Sequence, residues 1–266
     1  MAGSIFFSPA PYHIISYGTL LGTTFFHSFV NGITMFRVLE RPSFSAAQNA
    51  LFPIYFALQT ALPAILALTY PGSSNPLGVA SGLGGLLDES NFRGTLLPIA
   101  TIFVTAAVNL LSFVNGITMF RVLERPSFSA AQNALFPIYF ALQTALPAIL
   151  ALTYPGSSNP LGVASGLSGL LDESNFRGTL LPIATIFVTG AVNLLVVLPA
   201  TQKIMAARYA QEKKDGKKSY DPAPHSQEMQ ALNKRFGKMH GISSLLNLGT
   251  FIATIAYGFT LGSRLT

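Results

Sequence analysis

"SFVNGITMFRVLERPSF" occupies Ser28 to Phe44 and returns letter for letter at Ser112 to Phe128. Charge is confined to its middle, as Arg37, Glu40 and Arg41 in the first instance and Arg121, Glu124 and Arg125 in the second. On both sides lie long windows without any Asp, Glu, Lys or Arg: 1–36, 42–87, 94–120, 126–171, 178–202 and 239–263. A helix needs about 20 apolar residues to cross a hydrocarbon core roughly 30 Å thick, and each window is long enough. Of the 266 residues, 50% are hydrophobic and only 10% are charged, too apolar a balance for an ordinary soluble domain. The fold class is therefore all-α: a multi-pass helical membrane protein.

The quoted stretch is part of a longer repeat. Ser28 to Leu111 aligns with Ser112 to Leu195 over 84 residues, and only Gly84/Ser168 and Ala106/Gly190 differ. Repeats maintained for architecture diverge in sequence, so this near-identity marks a recent in-frame duplication or a misassembled gene model. Removing one copy leaves a chain of 182 residues with four spans. With both copies the windows predict six helices, at His13 to Phe36, Ala46 to Tyr70, Thr95 to Phe120, Ala130 to Tyr154, Thr179 to Thr201 and Met239 to Gly262. The third crosses the join between copies. Prolines at Pro53, Pro63, Pro98 and Pro182 predict kinks, which neighbouring helices accommodate in a bilayer. The first apolar run is too long for a signal peptide and lacks a basic leader, so it is read as a retained span.

Basic residues orient the chain. Thirteen of the sixteen Lys and Arg fall on one side of a six-span arrangement: Arg37, Arg41, Arg121, Arg125 and nine within 203–238. By the positive-inside tendency that side is cytosolic, and both termini are non-cytosolic. An endomembrane or the plasma membrane is the favoured location. The repeated unit carries two spans, so its duplication leaves the orientation of the later spans unchanged.

"FVNGITMFRVLERPSF", "ALFPIYF", "LPATQKIM" and "RFGKMHGISSLLNLG" resemble the motifs of the transmembrane protein 205-like family, small four-span proteins of eukaryotic membranes. The resemblance covers the whole chain once one copy is removed. It implies a single four-helix membrane domain over 1–266, here enlarged by a duplicated two-helix unit, copies 28–111 and 112–195. It implies no reaction.

The strongest polar cluster within a span is His240, Ser243, Ser244 and Asn247, which spacings of three, four and seven place on one helical face. Polar groups at membrane depth often mark solute or proton pathways. They also join helices, in bonds averaging about 0.6 kcal/mol, and packing is the weightier reading here. Asn31, Gln48, Gln59 and Asn109 are scattered amides assigned to helix contacts. Arg37, Arg41, Arg121 and Arg125 are read as topology and headgroup anchors, with Glu40 within reach of Arg37.

The segment 203–238 carries a net charge of +5. "TQKIMAARYAQEKK" prolongs the fifth helix, "DGKKSYDPAP" breaks it, and "SQEMQALNKRFGKM" starts another with Met229, Leu232 and Phe236 on an apolar edge. Beside a bilayer such a segment suits anionic lipid, at about 1 kcal/mol per basic residue, or a protein partner. Nucleic acid is not expected, because membrane topology accounts for the basic residues. No cofactor or metal site is expected either: cysteine is absent, the four histidines are far apart, and the acids fall in loops or the basic segment. The expected function is non-catalytic, that of a trafficking or organising factor acting through helix and lipid contacts. A small-solute transporter or channel is the alternative, weakened by the lack of an intramembrane charge.

Overall fold

The computed structural model describes residues 15–16, 18–19, 22–68, 114–152, 154 and 166–264. The elements are α1 (Gly32–Val38), entered through a wide π turn at Phe26–Asn31, α2 (Arg41–Leu68), α3 (residues 114–122) and α4 (Arg125–Leu152). Then come α5 (Gly166–Leu170), α6 (Leu181–Val192), α7 (Leu198–Asp215) and α8 (Gln227–Arg264). Among the described residues there is no strand.

Among the described residues, three helices are long and apolar enough to cross a membrane: Arg125–Leu152, the continuous run Glu173–Asp215 and Gln227–Leu261. These correspond to the fourth, fifth and sixth expected spans. The six-span count is therefore not reached among the described residues. The expected third span lies largely outside them, as do the start of the first and the first copy's "LLDESNFRG" loop. The second span appears as α2, whose 28-residue sequence is identical to that of α4.

These apolar helices are only 28–33% buried within the protein over their most apolar windows. Phe29, Phe36, Leu195, Val196 and Leu245 are each more than 60% exposed. A water-soluble fold does not leave such continuous apolar surface open. In a bilayer these side chains meet acyl chains, so the architecture is that of a helical membrane protein.

Local sequence accounts for the breaks. Leu39 turns to extended backbone (φ −104°, ψ 144°) as α1 ends, and α2 restarts at Arg41. Pro42 is tolerated in that first turn, where its missing N–H leaves no intrahelical bond unmade. The same break recurs at Leu123 and Glu124. Pro53, Pro63, Pro137 and Pro147 sit inside α2 and α4 without ending them. At the far end α7 stops at Gly216, whose φ of +64° is a left-handed conformation that glycine adopts without steric cost. The Ser226 hydroxyl then accepts the Met229 N–H (3.2 Å) and caps α8 while donating to Asp215 (2.6 Å). The expected break at "DGKKSYDPAP" and restart before Met229, which is fully buried, are both present.

α4 is the central helix. It packs against α6 on one flank and against α1 of the first copy on the other, and α6 in turn packs on α8. One apolar cluster joins Leu150, Tyr154, Leu170, Ile183, Tyr257 and Leu261. A second joins Phe26 to Tyr139 and Phe140. A third consists of Met35, Leu39, Ala47 and Leu51 with Met119, Leu123, Ala131 and Leu135. The duplicated segments are thus in direct contact.

Candidate functional site

The expected cluster on α8 does not assemble as one site. His240 is exposed, its ring stacked on Phe236 with centroids 6.1 Å apart. Ser244 is also exposed, and its hydroxyl donates back to the His240 carbonyl (2.9 Å). Such a bond satisfies the hydroxyl within its own helix. Ser243 is half-buried. Asn247 alone reaches into the helix seam. The spacing is helical, as expected, but seven residues advance the helix by about 10.5 Å, which carries His240 out of the packed region.

The polar site that does form joins three helices at Asn247. Its side-chain oxygen accepts from Asn193 Nδ2 (3.0 Å) in the fifth span and from Gln143 Nε2 (3.5 Å) in α4. Gln143 also donates to the Tyr139 hydroxyl (3.3 Å) on its own helix. One turn further along α8, the Thr250 hydroxyl meets that of Thr189 at 2.6 Å. Gln143, Asn193 and Thr250 are all buried.

Two backbone features set this geometry. Asn193 opens a π turn, Asn193–Val197, closed by the Leu198 N–H on the Asn193 carbonyl. Such a bulge re-aims side chains relative to a regular helix and is frequent at functional sites. Gly190, three residues earlier, lies directly against α4. A Cβ there would sit 3.0 Å from both the carbonyl carbon and oxygen of Gln143 and 3.1 Å from Thr144 Oγ1. Small residues at such crossings let membrane helices approach closely.

Sequence alone points to Gln59 and Asn109 as helix contacts and not to their second-copy equivalents Gln143 and Asn193. The usable signal was the repeat offset of 84 residues. Gln59 does serve a helix contact, donating to Thr24 Oγ1 (2.6 Å), whereas Asn109 lies outside the described residues. Asn31 is fully buried beside His27, its amide nitrogen 3.5 Å from the ring Nδ1. The His27 ring is stacked on Tyr55 at 4.6 Å. Among the described residues the buried amide oxygen of Gln48 has no hydrogen-bond partner.

Arg37, Arg41, Arg121 and Arg125 are all exposed at the two helix breaks. The Arg125 guanidinium lies 3.8 Å over the Phe120 ring. Glu40 falls beyond the end of α1, and its carbonyl accepts the Phe44 N–H (2.9 Å) at the start of α2. In the basic segment Glu212 is buried and accepts the Ser219 N–H (3.0 Å) and Lys218 Nζ (3.5 Å). Burial raises the Glu212 carboxyl, but the bonds from Ser219 and Lys218 outweigh it and hold the group below its ordinary value. Arg208 stacks over Phe236 (4.5 Å), tying α7 to α8. Among the described residues no three His, Asp or Glu side chains gather as metal ligands would.

Fold and site together define a helical membrane protein whose interior polar groups hydrogen-bond between spans. Residues 15–112 and 107–210 each match the family described as "Domain of unknown function (DUF4149)", and the chain belongs to that family. The family is found twice, in keeping with the repeat, and this match stands where the transmembrane protein 205-like resemblance was expected. A relative from Aspergillus fumigatus, named "Xanthocillin biosynthesis cluster protein D", is 30% identical over 154 residues, covering 58% of this chain and 79% of the relative. No solved structure matches.

Proposed function

We propose that the protein is a non-catalytic membrane component that acts through helix packing and through lipid or protein contacts at its basic face, as an organising or trafficking factor. The observation that carries this reading is the seam at Asn247. Its polar side chains are turned toward one another across three helices, which is the arrangement of interhelical contacts rather than of groups presented to a ligand. The resemblance to the transmembrane protein 205-like family agrees with this reading, since it brings no reaction with it. The name of the Aspergillus relative associates that protein with a biosynthesis cluster and specifies no substrate for the present chain.

The six-span topology, with both termini non-cytosolic, belongs to the same proposal. Glu173–Asp215 has 43 residues and so runs about 65 Å, roughly twice the hydrocarbon thickness. Its charged end, with Lys203, Lys213 and Lys214, therefore projects from the membrane on the basic side. There the paired helices α7 and α8 present Lys213, Lys214, Lys234, Arg235 and Lys238 as exposed cations, a surface suited to anionic lipid headgroups.

The test is reconstitution into vesicles of neutral and of anionic lipid. Entrapped small solutes should leak, and lipids turn over, no faster than in protein-free vesicles. A soluble fragment is not needed to probe the basic face, since Lys234→Glu/Arg235→Glu/Lys238→Glu in the whole protein should lower recruitment of anionic lipid around it. Solute flux that disappears on Asn247→Ala would overturn the reading in favour of a transporter or channel.

A further inference from the structure

The third apolar cluster has a symmetry that the other two clusters lack. Its members are four pairs of residues 84 positions apart: Met35 with Met119, Leu39 with Leu123, Ala47 with Ala131, and Leu51 with Leu135. Burial agrees within each pair, at 0% and 1%, 8% and 7%, 0% and 0%, and 2% and 5% exposed. Phe44 and Phe128 flank the cluster as equivalents. They hold Phe36 and Phe120 in matching edge-on contacts, with centroids 5.5 and 5.4 Å apart and interplanar angles of 79° and 82°. At the centre, Ser43 Oγ meets its own counterpart, Ser127 Oγ, at 3.2 Å.

A residue touching its own equivalent is the signature of an isologous contact, in which one surface patch is complementary to itself. Two different surfaces packed together would bury equivalent residues unequally. That inequality begins one to two turns further along the helices. Phe56 is 58% exposed whereas Phe140 is 3% exposed, packed with Phe26 of the π turn and with Leu194 and Leu198 of the fifth span. The match is thus local to the contact between copies. Ser43 and Ser127 each come just after a break carrying exposed arginines, so the two breaks share one face of the membrane and the pseudo-two-fold axis runs along its normal.

We propose that the face formed by Met35, Leu39, Ser43, Ala47 and Leu51 is a self-association surface, and that the repeated chain is a fused parallel dimer. Its occupant is a second copy of the same unit, supplied here within the chain. The second copy, with α6, α7 and α8, builds one bundle; α1 and α2 dock on it as the corresponding helices of a second subunit would. When the internal partner is spoiled, the intact face takes the same face of another chain.

The absence of cysteine from the sequence makes the test direct. In the full-length protein, Ser43→Cys/Ser127→Cys should oxidise to a cross-link within one chain, migrating as a compact monomer, while Ser127→Cys alone stays monomeric. Ala47→Leu places three extra carbons at the axis and should abolish that internal cross-link. Two chains should then pair through their unaltered second copies, so that Ala47→Leu/Ser127→Cys shifts from monomer to covalent dimer on a non-reducing gel. Absence of the internal cross-link in the first variant, or its formation between chains, overturns the fused arrangement without reference to any leucine variant. Survival of the internal cross-link when Ala47→Leu is added contradicts the close self-packing. Its loss without appearance of the 127–127 dimer overturns self-association.

Discussion

Gly190→Ala adds a single methyl group, and the first copy carries alanine at the equivalent position 106. On helix propensity alone the change favours the protein, since glycine in a helix interior is about 1 kcal/mol worse than alanine. The structure reverses the sign. The added Cβ would stand 3.0 Å from the backbone carbon and oxygen of Gln143, where carbon prefers separations of about 3.5–4.0 Å. Those atoms belong to the backbone of α4 and cannot rotate away, so α4 and α6 must separate by roughly 0.5–1 Å. Overpacking of this kind costs about 1–3 kcal/mol, and the shift also strains the 3.5 Å reach of Gln143 to Asn247. The loss exceeds the propensity gain across most of that range, leaving a net destabilisation of up to about 2 kcal/mol. At about 2–4 °C per kcal/mol for a chain near this size, Tm in detergent should fall by up to about 8 °C. A raised Tm for Gly190→Ala would refute the close contact of α6 with the α4 backbone at this crossing.

The Glu212 carboxyl lies below its ordinary value, so the Ser219 and Lys218 contacts stabilise the fold above the unfolded carboxylate value and lose that contribution as pH falls through the depressed one. Glu212→Gln should flatten this acid limb of the Tm-against-pH curve; with the Lys218 side chain 59% exposed, the ion pair itself is worth about 0–1 kcal/mol, and an identical limb in the variant would contradict the assignment. Orientation is checked with impermeant maleimide on sealed membrane vesicles, cytosolic side out: a cysteine at exposed Lys214 should label at once, and one at exposed Glu173 only after permeabilisation, whereas labelling from one side at both positions would break the six-span topology. Trypsin should release Gly94 to Arg121, a peptide that spans the join; its absence from mass spectra with good coverage of the flanking peptides would show that the second copy is not translated.

Sequence carried the class of the protein because bilayer thickness imposes a length on charge-free windows, and six such windows are plain to read. It also carried the α7–α8 hairpin, whose breaker Gly216 and cap Ser226 act through neighbours a few residues away. The polar site was harder. Helical spacing grouped His240, Ser243, Ser244 and Asn247 correctly on one helix, but whether a side chain is in the seam depends on where the partner helices cross. That is fixed by Gly190 and by the π turn at Asn193, on a different span. A π turn has no sequence signature here, since "NLLVV" also reads as regular helix.

The repeat poses a sharper version of the same problem. α2 and α4 have one sequence, yet Phe56 is exposed and Phe140 is buried, so no property of those 28 residues alone decides burial. The deciding factor is what each helix meets: Phe140 packs with Phe26 and with Leu194 and Leu198 of the fifth span, while Phe56 stays exposed. Residues close to the arginine-bearing breaks behave alike in both copies because each copy's partner there is the other. Residues beyond behave differently because α4 is covered there by Phe26 and the fifth span, whereas Phe56 on α2 is exposed. Near-identical text therefore yields two environments, and the boundary between like and unlike burial, between Leu51 and Phe56, marks where self-pairing of the copies gives way to the unduplicated bundle.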